Sequence, residues 1–359
     1  QDAVSKLRGP VGTTVNIMVN RKQFPSPRPF AITRAKIRIN MVDGELLDGN
    51  VGYIRIKSFH ANVSTELEEL LSRFKREAGS GGMRGLILDM RGNPGGYLNQ
   101  AVEVSDRFLS DGVIVSTVEG DGMRGEEQRA SRASTESDYP IVVLVNGSSA
   151  SASEIVAGAL KNHQRAIVVG ERTFGKGSVQ HLISNRDESK LKLTVAKYLT
   201  PGDKDIQSVG IPADILLRPS IIRAPDTDDE DPNPSVSLYW REWIDREADL
   251  DRHLENEPQV ENDAVYEVRY LRPELGDDVD PGPRTDWEVG FARDVLLSTN
   301  SVRRPETLKA AESVVQTHQG AQSHAIRDAF EELGLDWRDG ENPKWPQLDV
   351  RLDLGEDGI

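Results

Sequence analysis

Between about Gly52 and Pro219 the chain alternates short apolar runs with stretches whose apolar residues recur every three or four positions. Tyr53-Ile54-Arg55-Ile56 predicts a short strand, and Leu67, Leu70, Leu71 and Phe74 predict a helix with one apolar face. Gly85-Leu86-Ile87-Leu88-Asp89-Met90 and Ile141-Val142-Val143-Leu144-Val145 are nearly continuous apolar runs, the pattern of strands covered on both sides. Helices are predicted around Ala101, Val104 and Phe108 and around Ile155, Val156, Ala159 and Leu160. Ala166-Ile167-Val168-Val169 reads as a third buried strand, and Leu191 to Tyr198 alternates as a strand does. This order of strand and helix predicts an α/β core containing parallel strands.

The flanks read differently. Ala3, Val4 and Leu7 suit one helical face, Gly9-Pro10 breaks it, and Val15 to Val19 alternates; Pro25, Pro27 and Pro29 mark an exposed connection. Beyond Pro219, Asp226, Asp228, Asp229, Glu230 and Asp231, followed by Pro232 and Pro234, form an acidic spacer without the glycine loop or ligand spacing of a calcium site. Ser235 to Asp280 is polar with weak periodicity. Leu308, Ala311 and Val315 predict one helix; Ile326, Phe330 and Leu333 predict another, closed by Gly334. Gln347 to Leu354 alternates like a strand. The expected divisions are 1–24, a core over 25–219, a linker over 220–234 and a mixed, mainly helical extension over 235–359. No internal repeat is visible.

Composition narrows the function. At 359 residues the chain exceeds what one core usually organises. With 29% charged residues, 37% hydrophobic residues, 31 Gly and 19 Pro, it has the make-up of a soluble, loop-rich protein. A formal net charge of -15 repels phosphate backbones and anionic lipid, so neither nucleic acid nor a membrane surface is the expected partner. No apolar run is long enough to span a bilayer, and no direct membrane insertion is expected. Gln1-Asp2-Ala3-Val4-Ser5 has neither the basic nor the apolar region of a signal peptide and lacks an initiator Met, as a fragment or processed form would. With no cysteine, thiol catalysis and Cys-based metal sites are excluded. No His-x-x-x-His pair or comparable metal pair occurs, and neither a metal nor another cofactor is expected.

Three clusters can carry chemistry. Asn146-Gly147-Ser148-Ser149-Ala150-Ser151-Ala152-Ser153-Glu154 follows a buried strand and opens a helix, where free N–H groups and the helix dipole favour an attacking oxygen and a developing oxyanion. Ser151-Ala152-Ser153-Glu154 fits a capping box equally well. In Thr173-Phe174-Gly175-Lys176-Gly177-Ser178-Val179-Gln180 a lysine stands between two glycines; it is either an exposed turn residue or, if desolvated and neutral, a base for a serine. Asp89-Met90-Arg91-Gly92-Asn93-Pro94-Gly95-Gly96 ends another buried strand and reads either as a tight turn or as a source of oxyanion-binding N–H groups. All three fall at strand ends of one α/β unit, where sites in such sheets gather.

Two rivals are weaker. Gly170 to Lys176 matches the first seven positions of a P-loop, but Gly177 stands where Ser or Thr must bind magnesium, and Val179, His181 and Ile183 alternate like a strand. Among the six histidines, His163 and His181 flank the interesting region, and His60 is the one position for a competing base.

Four blocks in order resemble the carboxyl-terminal processing peptidases, or tail-specific proteases: Gly52-Tyr53-Ile54-Arg55-Ile56, Leu88 to Gly96, Ser149 to Glu154 and Thr173 to Gln180. Gly210-Ile211-Pro212-Ala213-Asp214-Ile215 is similar to that family's closing motif. The resemblance implies a crotonase/ClpP-like protease core with parallel strands, preceded by a truncated PDZ remnant. It implies Ser151, between two alanines, as nucleophile, Lys176 as general base and Gln180 as the residue orienting the amine. The Gly95-Gly96 turn and Ala152 would supply the oxyanion hole. Asn162 departs from the Asp common in relatives.

A serine endopeptidase cleaving proteins near apolar C-termini through an acyl-enzyme is therefore expected, without metal or nucleotide. The alternative is a catalytically silent peptide-binding or scaffolding homologue. Its partners would be protein or peptide substrates with apolar C-termini, an oligomer is left open, and family analogy suggests the periplasm or cell envelope.

Overall fold

A computed structural model of the chain describes residues 2–21, 24–36, 40–120, 122–136, 139–185, 187, 189–223, 235–237, 246–250, 254, 264–273 and 282–335. The acidic spacer at 226–234 and the strand expected over 347–354 lie outside the described residues. Two compact units divide the chain, Gln1–Asn40 and Met41–Ile359.

In the first unit a short helix α1 (Asp2–Leu7) precedes β1 (Thr14–Val19) and β2 (Arg28–Thr33). The two strands pair antiparallel from Thr14↔Thr33 to Val19↔Arg28. Pro29 sits inside β2, which has one partner among the described residues and tolerates a missing N–H on its open side. Arg34 ties the unit together, donating from Nε to the Leu7 carbonyl at 2.8 Å and from Nη1 to Thr13 Oγ1 at 2.8 Å. The boundary expected after residue 24 thus falls within a paired ribbon, and the units part after Asn40.

The second unit contains, in order, β3 (Val42–Leu47), β4 (Val51–Ile56), α2 (Val63–Ala78), β5 (Gly85–Asp89), α3 (Leu98–Asp106), β6 (Val113–Glu119), β7 (Arg124–Arg129), β8 (Ile141–Val145) and α4 (Ala152–Asn162). There follow β9 (Ile167–Gly170), β10 (Ser178–Ser184), β11 (Lys190–Thr200), β12 (Lys204–Asp205), β13 (Ile215–Arg223), β14 (Ser235–Ser237), β15 (Tyr266–Leu271), α5 (Trp287–Leu297) and α6 (Arg304–Glu332). The main sheet runs β4-β5-β8-β9-β13-β15, all parallel, as the strand–helix order predicts. β3 adds antiparallel to β4, and β14 to the far end of β13. A second, antiparallel sheet has the order β10-β11-β6-β7, with β12 on β11.

Strand side chains alternate between two cores. Leu86, Leu88, Val143 and Val145 face the residues of α2, α3 and α4. Ile87, Val142, Leu144, Ile167 and Val169 face Val289, Phe291 and Val295 of α5 and Leu308, Ala311 and Val315 of α6. Strands apolar on every residue need cover on both sides, and the second cover comes from residues 287–315. The C-terminal region is therefore the other layer of this sheet, β15 included, and not an appended extension.

The two helices expected around 308–315 and 326–333 are one helix, α6, of 29 residues. Its middle lacks an apolar stripe because it meets backbone there. Gln322 Oε1 accepts from the Leu271 N–H at 2.8 Å, and Gln319 Nε2 donates to the Glu267 carbonyl at 2.7 Å, both on the outer edge of β15. Among the described residues, no helix is long and apolar enough to cross a membrane.

Candidate active site

Helix α4 is buried along its first nine residues and begins at Ser151, which has φ 55 and ψ -113. A non-glycine residue at positive φ costs roughly 1–3 kcal/mol and persists where its surroundings hold it. The surrounding serines do so. Ser149 Oγ donates to the Met90 carbonyl at 2.8 Å, Ser153 Oγ donates to the Asn93 carbonyl at 3.0 Å, and the Ala150 N–H reaches the same Asn93 carbonyl at 2.9 Å. Ser149 and Ser153 are completely buried. Ser151 is half-buried and stands in a capping box with Glu154, its side chain toward the Glu154 N–H and the Glu154 carboxylate taking the Ser151 N–H. The Glu154 N–H also donates to the Ser151 carbonyl at 2.9 Å. Geometry thus separates Ser151 from Ser149 and Ser153: their hydroxyls are buried and donate to carbonyls of the facing turn, whereas Ser151 is the one of the three that reaches solvent.

The turn after β5 lies against this serine. A Cβ added to Gly95, which has φ +98, would come within 2.7 Å of the Ala150 carbonyl oxygen and 2.8 Å of Ser151 Cβ. Asn93, fully buried, anchors the turn by donating from Nδ2 to the Ile56 carbonyl at 2.7 Å. Asn93 Oδ1 accepts from the Gly95 N–H at 2.9 Å, so that N–H is already used. The Phe59 N–H donates to the Gly95 carbonyl and the Tyr97 N–H to the Phe59 carbonyl, at 2.9 and 2.7 Å. Among the described residues, the N–H groups of Gly96 and Ala152 have no hydrogen-bond partner.

Arg91 braces the other side of the turn. Its guanidinium donates to Asp89 Oδ2 at 2.6 Å, Glu288 Oε2 at 2.6 Å and Asp286 Oδ2 at 2.9 Å. Asp286 also caps α5, accepting from the Glu288 and Val289 N–H groups. Burial works to raise the Asp89 carboxyl, but the Arg91 charge and hydrogen bonds outweigh it and hold it below its ordinary range. Burial and the Asp89 charge push the Tyr53 hydroxyl, which donates to Asp89 at 2.9 Å, well above its usual value.

Glu154 joins the serine to the lysine. Its Oε2 accepts from the Ser151 N–H at 2.8 Å and the Lys176 N–H at 2.9 Å. Its Oε1 accepts from the Gly175 N–H at 2.7 Å and Thr173 Oγ1 at 2.5 Å. Complete burial raises its pKa, to about 7, while the four donors pull it back. The capping-box partner of Ser151 is therefore also the clamp of the lysine loop. Lys176 is half-buried and, among the described residues, its amine lies in no ion pair.

Gln180 is not gathered in. It is exposed, and its Nε2 donates to Thr194 Oγ1 at 3.4 Å across β10 and β11. The register shifts between Val179, opposite Ala196, and Gln180, opposite Thr194, a bulge that leaves Val195 of β11 without an opposite residue on β10. His60 is exposed and meets Tyr97 edge-on at 6.4 Å, and His163 Nε2 lies 2.6 Å from the Val113 carbonyl oxygen; neither bonds Ser151. The His181 side chain is outside those described. Asn162 donates to Thr200 Oγ1 at 3.1 Å, a structural contact. After Lys176 the chain enters β10 and no helix begins, so a P-loop cannot form. Among the described residues, no cluster of acidic or histidine side chains could hold a metal ion. Sequence reasoning passed over Glu154, Asn93 and Arg91 as site residues, though each was in a block it singled out; four-fold satisfaction of one carboxylate is visible only in three dimensions.

Residues 50–217 match the profile of peptidase family S41. A carboxy-terminal-processing protease of Bartonella bacilliformis is 40% identical over 222 residues, 60% of this chain and 50% of the relative. A carboxyl-terminal-processing protease of Synechocystis sp. is 38% identical over 225 residues, 62% of this chain and 51% of the relative. The solved photosystem II D1 C-terminal processing protease is 32% identical with a TM-score of 0.46, covering 58% of this chain and 56% of its own. The chain spans about half the length of the curated relatives it matches. The strained Ser151 turn and the lysine loop, joined at Glu154, both lie within residues 50–217, and it is there that this chain is similar to peptidase family S41.

Proposed function

We propose that this chain is a serine endopeptidase of the C-terminal processing type, acting through Ser151 and Lys176. The observation that carries the reading is the shared Glu154 oxygen, which fixes the backbone of both residues at one point. Neutral Lys176 takes the proton as Ser151 Oγ attacks a peptide carbonyl. The developing oxyanion accepts from the Gly96 and Ala152 N–H groups, near the positive end of α4. The intermediate collapses, the C–N bond breaks, and the leaving amine takes the proton from Lys176. Water then attacks the acyl-enzyme, giving its proton to the lysine, and Ser151 leaves with a proton restored.

The same reading takes the second unit as a crotonase/ClpP-like protease core and the short helix and ribbon of the first as the end of a PDZ domain. It takes proteins with apolar C-termini as substrates and an envelope compartment such as the periplasm as the location. An unstructured protein with an apolar C-terminal tail, incubated with wild type and Ser151→Ala and followed by mass spectrometry, is the test. Cleavage by wild type alone is expected; cleavage by both variants overturns Ser151 as nucleophile.

A further inference from the structure

Every peptide group beside Lys176 has a hydrogen-bond partner, and one set of partners comes from beyond the matched domain. The Gly175 and Lys176 N–H groups go to Glu154. The Gly175 carbonyl accepts from the Ser208 N–H at 2.8 Å, and the Gly177 carbonyl from the Tyr198 N–H at 2.7 Å. The Gly177 N–H donates to Gln207 Oε1 at 3.1 Å, and Gln207 Nε2 donates onward to Glu247 Oε1 at 2.9 Å. The Glu247 N–H donates to the Phe174 carbonyl at 3.2 Å. A single 3₁₀ turn, Glu247–Asp249, therefore holds the lysine loop two residues before Lys176 and, through Gln207, one residue after it. Ser208 Oγ adds a bond to the Leu254 carbonyl at 3.0 Å.

We infer that the turn Glu247–Asp249 forms a strap that positions Lys176, with Glu247 as its anchor. Gln207 is fully buried, and its amide orientation is dictated at both ends, by the Gly177 N–H and by the Glu247 carboxylate. Without that carboxylate the amide loses the Glu247 acceptor, and its hold on the Gly177 N–H weakens. Gly177 lets the two segments approach: a Cβ there would lie 2.6 Å from the Gln207 backbone nitrogen. A lysine acting as base must hold its amine to a few tenths of an ångström, and a misplacement of about 1 Å costs on the order of 100-fold in rate. Glu247 touches no reacting atom and is a positioning residue.

The inference rests on Lys176 as general base, and the experiment separates the two. Wild type, Glu247→Ala, Glu247→Gln, Lys176→Ala and Ser151→Ala are assayed on an internally quenched peptide with an apolar C-terminus. Glu247→Ala is expected to lower kcat about tenfold with KM within about twofold. Glu247→Gln, which keeps an oxygen to accept from Gln207, is expected to stay within about twofold of wild-type kcat. Amide hydrogen exchange at Gly177 needs no turnover: it should quicken in Glu247→Ala and stay slow in Glu247→Gln. Unchanged exchange at Gly177 in Glu247→Ala overturns the strap, as does a Glu247→Gln variant as impaired as Glu247→Ala. Undiminished cleavage by Lys176→Ala overturns the base instead.

Discussion

Ser151 and Lys176 donate their backbone N–H groups to the same oxygen, Oε2 of Glu154, at 2.8 and 2.9 Å. Two loops that are 25 positions apart in the chain thereby share one acceptor. The carboxylate that does this is completely buried, so the arrangement depends on four donors offsetting the cost of its desolvation.

Glu154→Gln should abolish detectable proteolysis. An amide offers one accepting oxygen where two are needed, so one pair of N–H or O–H donors faces an NH2 group. Loss of two hydrogen bonds to a charged acceptor predicts destabilisation on the order of 3 kcal/mol. Urea unfolding and fluorophosphonate labelling of Ser151 check both effects. A labelled, active Glu154→Gln enzyme would remove the clamp from the mechanism.

Stability and activity should move in opposite directions near neutral pH. The Glu154 pKa is raised from 4.5 to about 7, so the folded state binds the extra proton in that window. Its stabilising contribution is present below about pH 4.5 and is lost as pH rises through about 7, roughly 3 kcal/mol in all. The ionised form is nevertheless the one that accepts from all four donors, so kcat/KM should climb through pH 7. Unfolding free energies of wild type and Glu154→Gln between pH 5 and 8 measure the first effect, since the variant lacks the slope. The pH–rate profile measures the second.

Lys176→Arg should be as inactive as Lys176→Ala, each with kcat/KM reduced at least about 100-fold. Arginine keeps its proton throughout the accessible pH range and cannot receive one from Ser151. Steady-state kinetics of the two variants, with melting temperatures to confirm folding, decide it. Appreciable turnover by the arginine variant excludes the lysine as base.

Arg91→Met should cost about 3–5 kcal/mol, because it leaves the buried Asp89 and the Asp286 and Glu288 carboxylates without their shared cation. The loss should be smaller at low pH, because the Asp89 carboxyl that Arg91 holds below its ordinary range then contributes less. Chemical denaturation at two pH values measures the difference.

Gly95→Ala should injure catalysis more than substrate binding. Its methyl would meet the Ala150 carbonyl and Ser151 Cβ inside normal contact, at a φ of +98 that alanine rarely adopts. A fall in kcat with little change in KM is expected, accompanied by a lower melting temperature.

What the amino-acid order determined by itself was local. Period-two and period-3.6 patterns placed β4, β5, β8, β9, β11 and α2 to α4 close to their observed positions, because burial of a strand or helix face writes itself into the nearest residues. The small-residue turns at Gly95-Gly96 and around Ser151 were legible for the same reason: only certain residues fit such backbones. Tertiary structure alone decided the rest. The helix pair expected after residue 308 is one helix because its polar middle serves the edge of β15, a partner about 50 positions away. The region after 235 is half of the fold because α5 and α6 bury the second face of the sheet. Gln180 meets Thr194 across β10 and β11, and Glu154 joins the two loops of the site because both converge on its carboxylate. Periodicity reports which side of an element is buried; it carries no record of what is buried against it, and there the chemistry of this site is settled.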